Sequence, residues 1–150
     1  MRVIVTIGLP GSGKSTYLKE LGVNPISSDA LRLQLADDEN CQSIHPQVFA
    51  AMRYLLAERL KLGRDTTYID ATNLTVRDRS QWFEVAAEHG ADVEALWFDV
   101  PLDVCQARNA ARDRVVPAEA LDAMAEKLVP PSLAEGFTAV TRQPGRSPAG

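Results

Sequence analysis

Lys14 and Ser15 close the run Gly8-Leu9-Pro10-Gly11-Ser12-Gly13-Lys14-Ser15, a G-x-x-x-x-G-K-S spacing. Glycines let a loop take positive φ and let its backbone come close to an anion. Successive N–H groups at a helix start form a concave nest that attracts phosphate oxygens. Lys14 adds a point charge for β- and γ-phosphates, and the Ser15 hydroxyl suits a Mg²⁺ ligand. Gly8, Pro10, Gly11, Ser12, Gly13, Lys14, Ser15 and Thr16 are therefore the candidate nucleotide-binding residues, with ATP and Mg²⁺ as the implied ligands.

Three further constellations bear on what such a loop would do. Asp29 and Arg32 stand three apart at a helix start, so both project from one face. A carboxylate there can take the proton of an incoming hydroxyl, and the guanidinium can hold a phosphate of the acceptor. The plainer alternative is that Asp29 complements the helix dipole while Arg32 is solvated. Asp70 ends an apolar run and is followed by Ala71-Thr72-Asn73, so it is a second candidate for the Mg²⁺ shell, with Thr72 and Asn73 as polar groups at the mouth of the site. An ordinary turn would use the same residues. Arg108 and Arg112 are one helical turn apart and point the same way, suited to charge spreading over a transferring phosphoryl group. A solvated basic stripe paired with Asp103 or Asp113 is the alternative.

The elements that must position these residues follow from local pattern. Met1–Ile7 is a short, β-branched, apolar run and reads as a buried strand, and Ser15–Leu21 as a helix stopped by Gly22. Ile26-Ser27 closes a second strand with Ser28 as the N-cap of a helix. Pro46 opens a helix that sets Val48, Met52, Leu55, Leu56 and Leu60 on one face and ends at Gly63. Thr67–Asp70 is a third strand, and Thr75 with Asp78 has capping-box spacing for a helix from about Val76 to Gly90. Val93–Phe98 is a fourth strand, and Pro101 opens a helix through Arg112. Pro117, Leu121, Met124 and Leu128 mark another, and Phe137–Val140 a last strand. Strands alternating with helices predict an α/β phosphate-loop fold, a parallel sheet covered on both faces with a helical lid bearing the arginines. Residues 1–142 form its single domain and 143–150 a flexible tail.

Composition narrows the class. The chain has 150 residues, net charge −4 and pI about 5.2, which argues against broad, non-specific nucleic-acid binding. Twelve of its 16 basic residues are arginine, the residue that grips phosphates with a planar fork, although a GC-rich genome gives the same bias. No run reaches membrane-spanning length and no signal peptide is evident, so no membrane association is expected. Cys41 and Cys105 fit neither a metal site nor a disulfide scaffold, which points to a cytoplasmic location. His45 and His89 are too scattered for a metal site and read as surface or capping residues. The loop Asp37-Asp38-Glu39 lacks a metal-loop glycine pattern and reads as solvated. Trp82, Phe83, Trp97 and Phe98 read as core.

Five segments in order then carry a resemblance, running from Val3 to about Val140: Gly8–Thr16, Ile26–Asp29, Asp37–Asn40, Asp70–Asn73 and Cys105–Asn109. Together the chain resembles the kinase module of the bacterial polynucleotide kinase–phosphatases that heal RNA and DNA ends. The resemblance implies ATP-dependent transfer of the γ-phosphate to the 5′-hydroxyl of an RNA or DNA oligonucleotide. It implies Asp29 as general base, Arg32 on the acceptor phosphate, and Arg108 and Arg112 as lid arginines. Lys14, Asp29, Arg32, Arg108 and Arg112 are thus the expected catalytic set, and Arg108 and Arg112 also face the nucleotide. Arg114 lies six residues after Arg108, where the family's third lid arginine lies seven after its first. The phosphatase and ligase domains of full-length relatives are absent, so end healing would draw on other chains. Two other readings stay open: a kinase for a small metabolite or antibiotic hydroxyl on the same scaffold, and a nucleotide-binding module without transfer activity.

Overall fold

The computed structural model describes residues 1–111 and 116–144. The chain runs β1 (Arg2–Ile7), α1 (Lys14–Glu20), β2 (Ile26–Ser27), α2 (Ser28–Ala36), α3 (His45–Lys61), β3 (Thr66–Asp70), α4 (Val76–Glu88), β4 (Asp92–Asp99), α5 (Leu102–Ala110), α6 (Ala118–Lys127) and β5 (Ala139–Pro144). All strand pairs are parallel, in the order β2-β3-β1-β4-β5. The sheet is covered on both faces, as parallel strands require. Side chains of β1 alternate: Val3, Val5 and Ile7 join Met52, Leu56, Ile69 and Trp82 in one core cluster, while Ile4 joins Leu96, Phe98, Cys105 and Leu121 in the other. The first cluster seats α3 and α4, and the second seats α5 and α6. The predicted α/β phosphate-loop architecture is the one observed.

β1 is central, and the chain leaves it toward β2 on one side but later builds β4 and β5 on the other. The connections leaving β1 and β4 therefore diverge, opening a crevice at the carboxyl ends of these two strands. The glycine loop follows β1 and α5 follows β4, so the two meet there. That is how residues about a hundred positions apart come to share one site.

Local boundaries differ from the sequence reading where a specific contact decides them. The N-cap of α2 is Ser27 rather than Ser28: its backbone is extended and its hydroxyl accepts the Ala30 N–H at 3.2 Å. Helix α3 begins at His45 with Pro46 in its first turn, and Leu55 is 39% exposed while Val48, Met52, Leu56 and Leu60 are buried. Helix α5 stops at Ala110 rather than Arg112, and Arg112 itself lies outside the described residues. The last strand begins two residues later than predicted and runs further. Phe137 instead turns into the core against Phe83, with ring centroids 4.8 Å apart, and pairing starts only at Glu94–Ala139. Gln143 and Pro144, read as the start of a tail, belong to β5 opposite Phe98 and Asp99. The capping box at Thr75 and Asp78 is present as predicted. Among the described residues no helix is long and apolar enough to cross a membrane.

One fully buried side chain fastens the loops that flank the sheet. Arg79 on α4 donates to the Asn73 carbonyl at 2.8 Å, to the Leu74 carbonyl at 3.0 Å, to the Val129 carbonyl, and to Glu135 at 2.9 Å. It thereby ties the turn after β3 to the segment after α6.

Candidate active site

The glycine loop is shaped by packing as much as by ligand access. Gly8 is buried, and a Cβ there would meet Ser12 Oγ at 2.7 Å and Phe98 Cβ at 3.0 Å. It holds the loop against β4 and does not line the cleft. Gly11 has φ +84°, and a Cβ would stand 2.7 Å from the Cys105 carbonyl on α5. Only glycine permits both that φ and that approach. Lys14 opens α1 and folds its Nζ onto the carbonyls of Gly8 and Leu9, both at 2.8 Å, with Ser12 Oγ at 3.4 Å. The ammonium thus rests at the base of the loop.

Beside the loop, the Ser15 hydroxyl donates to Asp70 Oδ2 at 3.0 Å. Asp70 is the last residue of β3 and is buried. Burial raises its pKa, the nearby charge of Asp29 adds to that, and the Lys14 charge and Ser15 hydrogen bond act against it. Thr72 lines the cleft, as the sequence suggested, but Asn73 does not. Asn73 is buried at φ +48°, donates to the Thr6 carbonyl at 2.8 Å and accepts from Trp82 Nε1 at 2.8 Å, so it is a structural residue.

Across the cleft, the first turn of α2 carries the predicted pair. Asp29 Oδ1 lies 3.5 Å from Arg32 Nη1, with Asp29 half-exposed and Arg32 5% exposed. Among the described residues, Arg32 Nε has no hydrogen-bond partner. A guanidinium nine-tenths buried and incompletely satisfied is expensive unless an anion completes it. Arg108 on α5 reaches the loop from above, donating through Nη1 to the Gly11 carbonyl at 3.4 Å. Arg112 and Arg114 lie outside the described residues, so only the first arginine of the predicted lid is placed.

Gly11, Lys14, Ser15, Asp29, Arg32, Asp70, Thr72 and Arg108 border one open cleft of roughly 1290 Å³. At one end Pro117, Ala120 and Met124 face it with Gln143 and Pro144 of β5, and at the other stand Asn40, Gln42, His45 and Phe49. Sequence reading missed both ends. The apolar end depends on β5 reaching further than its pattern suggested, and the aromatic end depends on α3 starting at His45. Asp37, Asp38 and Glu39 do not border the cleft.

Comparison with known proteins places this geometry. The model of the family described as "AAA domain" matches residues 3–131, most of the chain. The chain belongs to the AAA domain family. A bifunctional polynucleotide phosphatase/kinase of Schizosaccharomyces pombe is 24% identical over 151 residues, covering 95% of this chain and 33% of its own. The AAA domain spans a third or less of the length of the curated relatives it matches. Among solved structures, a chain of the Pnkp1/Rnl/Hen1 RNA repair complex superposes with TM-score 0.71 at 23% identity, over 85% of this chain and 43% of that one. A sugar kinase from Janibacter sp. HTCC2649 superposes with TM-score 0.69 at 20% identity, over 99% and 87%. At such identities the structural likeness shows a common kinase-type fold.

The loop of this AAA domain fits a triphosphate and its metal. The cradle has no room for a Cβ at Gly11, and a Cβ at Gly13 would come to 3.6 Å from Arg108 Nη1. Ser15 and Asp70 supply the hard oxygen donors that Mg²⁺ takes. The cleft then joins a phosphate cradle, a carboxylate and two arginines around one space, the parts that phosphoryl transfer requires.

Proposed function

We propose that the chain is an ATP- and Mg²⁺-dependent kinase that phosphorylates the 5′-hydroxyl of an RNA or DNA oligonucleotide. The observation that carries this reading is the Asp29–Arg32 pair facing the glycine loop across a shared cleft. A hydroxyl is a weak nucleophile at neutral pH, and Asp29 is placed to take its proton. The new O5′–Pγ bond forms as the bond from Pγ to the bridging β–γ oxygen breaks, and ADP leaves with that electron pair. Gly11–Thr16 hold the triphosphate and Lys14 turns from its carbonyls to the β- and γ-phosphates. Ser15 and Asp70 would hold Mg²⁺, which when bound neutralises charge on those phosphates. Arg108, with Arg112, stabilises the equatorial oxygens of the transferring group. Arg32 takes the acceptor's 3′-phosphate as the anion its buried fork lacks.

The kinase domain is assigned to residues 1–144, since β5 runs to Pro144 rather than ending at the expected residue 142, with the chain acting in the cytoplasm beside phosphatase or ligase activities of other chains. The relatives named as polynucleotide kinases support the acceptor class. The test is transfer of radiolabelled γ-phosphate to 5′-hydroxyl oligonucleotides, mononucleotides and sugars side by side. Label on oligonucleotides supports the reading. Label on sugars alone makes the chain a small-molecule kinase, and label on nothing makes it a nucleotide-binding module.

A further inference from the structure

The acceptor end of the cleft carries a pair of rings for which the transfer chemistry has no use. His45, the first residue of α3, lies on Phe49 with ring centroids 4.4 Å apart and planes tilted by 35°. Phe49 is itself 6.2 Å from Trp82, a fully buried side chain, and packs against the larger core cluster. The imidazole is therefore backed by a fixed apolar stack, while the residue is exposed and borders the cleft. Partial burial of the imidazole and the charge of Arg32 hold its pKa below the ordinary value, against the opposing charge of Asp78.

Arg32, with its unpartnered Nε, borders the same cleft, and so do the amide side chains of Asn40 and Gln42. An anion seat, a supported flat ring and two amides around one cleft are the separate pieces that recognise a phosphate and a heterocyclic base. Bases stack on aromatic faces without needing a fixed sequence, because each base has a π-face.

We propose that His45, backed by Phe49, is the stacking platform for the nucleobase of the acceptor's terminal nucleotide, whose 3′-phosphate sits on Arg32. The proposal rests on the 5′-kinase reading and narrows it: the acceptor must carry a base at its 5′ end. His45 is a specificity residue that touches the acceptor and takes no part in proton transfer.

The test compares two acceptors, a 5′-hydroxyl trinucleotide and the same trinucleotide with an abasic tetrahydrofuran residue at its 5′ end. For the wild-type chain, loss of the base raises the acceptor KM on the order of 10- to 100-fold with little change in kcat. His45→Ala raises the KM of the base-bearing acceptor by a similar factor and removes the difference between the two acceptors. His45→Phe restores that difference, because it supplies a flat ring without the imidazole's protons. The KM for ATP stays the same throughout, which separates a lost platform from a misfolded chain. Equal KM values for both acceptors in the wild type, or an unchanged preference in His45→Ala, overturn the platform and leave the kinase reading intact. Transfer to sugars but to neither trinucleotide overturns both.

Discussion

Asp29 and Arg32 are neighbours on one helical turn, yet one is half-exposed and the other buried, and the proposed kinase gives them different tasks. Asp29 is half-exposed and meets the cleft, where it can exchange a proton with an incoming hydroxyl. Asp29→Asn keeps size and shape but removes the base, and is expected to slow transfer by roughly 10²- to 10⁴-fold with ATP binding retained. Single-turnover transfer together with ATP titration checks this. Arg32→Ala should raise the acceptor KM chiefly for acceptors that carry a 3′-phosphate, since a charge-assisted bond to that group is what it supplies. Equal KM effects on acceptors with and without the phosphate would refute that role. Arg108 touches the loop from the donor side. Arg108→Ala should lower kcat on the order of 10²-fold or more while changing the KM for ATP less, because charge spreads over the equatorial oxygens only as the bond breaks. Steady-state kinetics in ATP distinguishes this from a ground-state binding role.

At the scale of elements, the glycine loop and its flanking strand and helix were legible because one motif dictates them. β-branched residues make β1, and positive φ at Gly11 and Gly13 turns the chain into α1. The Thr75–Asp78 cap was legible for the same reason: it is a local hydrogen-bond exchange. Asn73 was not, because its role depends on Thr6 and Trp82, which lie 67 and nine positions away. The reading of Asn73 as a polar group at the mouth followed from residue type alone. Arg79 was missed for the same reason, since nothing in its neighbours announces the Val129 carbonyl or Glu135. His45 read from sequence as a surface or capping residue and not as a wall of the site, because its backing ring, Phe49, comes one turn later. Arg79→Met should leave the Glu135 carboxylate buried without its partner, remove the Arg79 donor from the Asn73 and Val129 carbonyls, and leave the Leu74 carbonyl with the Val129 N–H alone. A loss of about 3–5 kcal/mol is expected, read from the urea midpoint at constant m. A loss below about 1 kcal/mol would mean the clasp is not a stabilising feature.

Across the whole molecule, the two halves of the proposed reaction are mounted on unequal supports. The glycine loop springs from β1, at the centre of the sheet, paired on both sides along most of its length. Asp29 and Arg32 follow β2, an edge strand of two residues that meets the sheet only through Ile26–Ile69 and Ser27–Asp70. Local opening free energies scale with such anchoring. Native-state hydrogen exchange should therefore show β2 and the first turn of α2 opening well before β1, and exchange rates that are equal in both would contradict it. A strand this short also offers little ladder of its own to another chain. On the kinase reading, the same brevity would let the free energy of acceptor binding help to order the wall that carries Asp29 and Arg32.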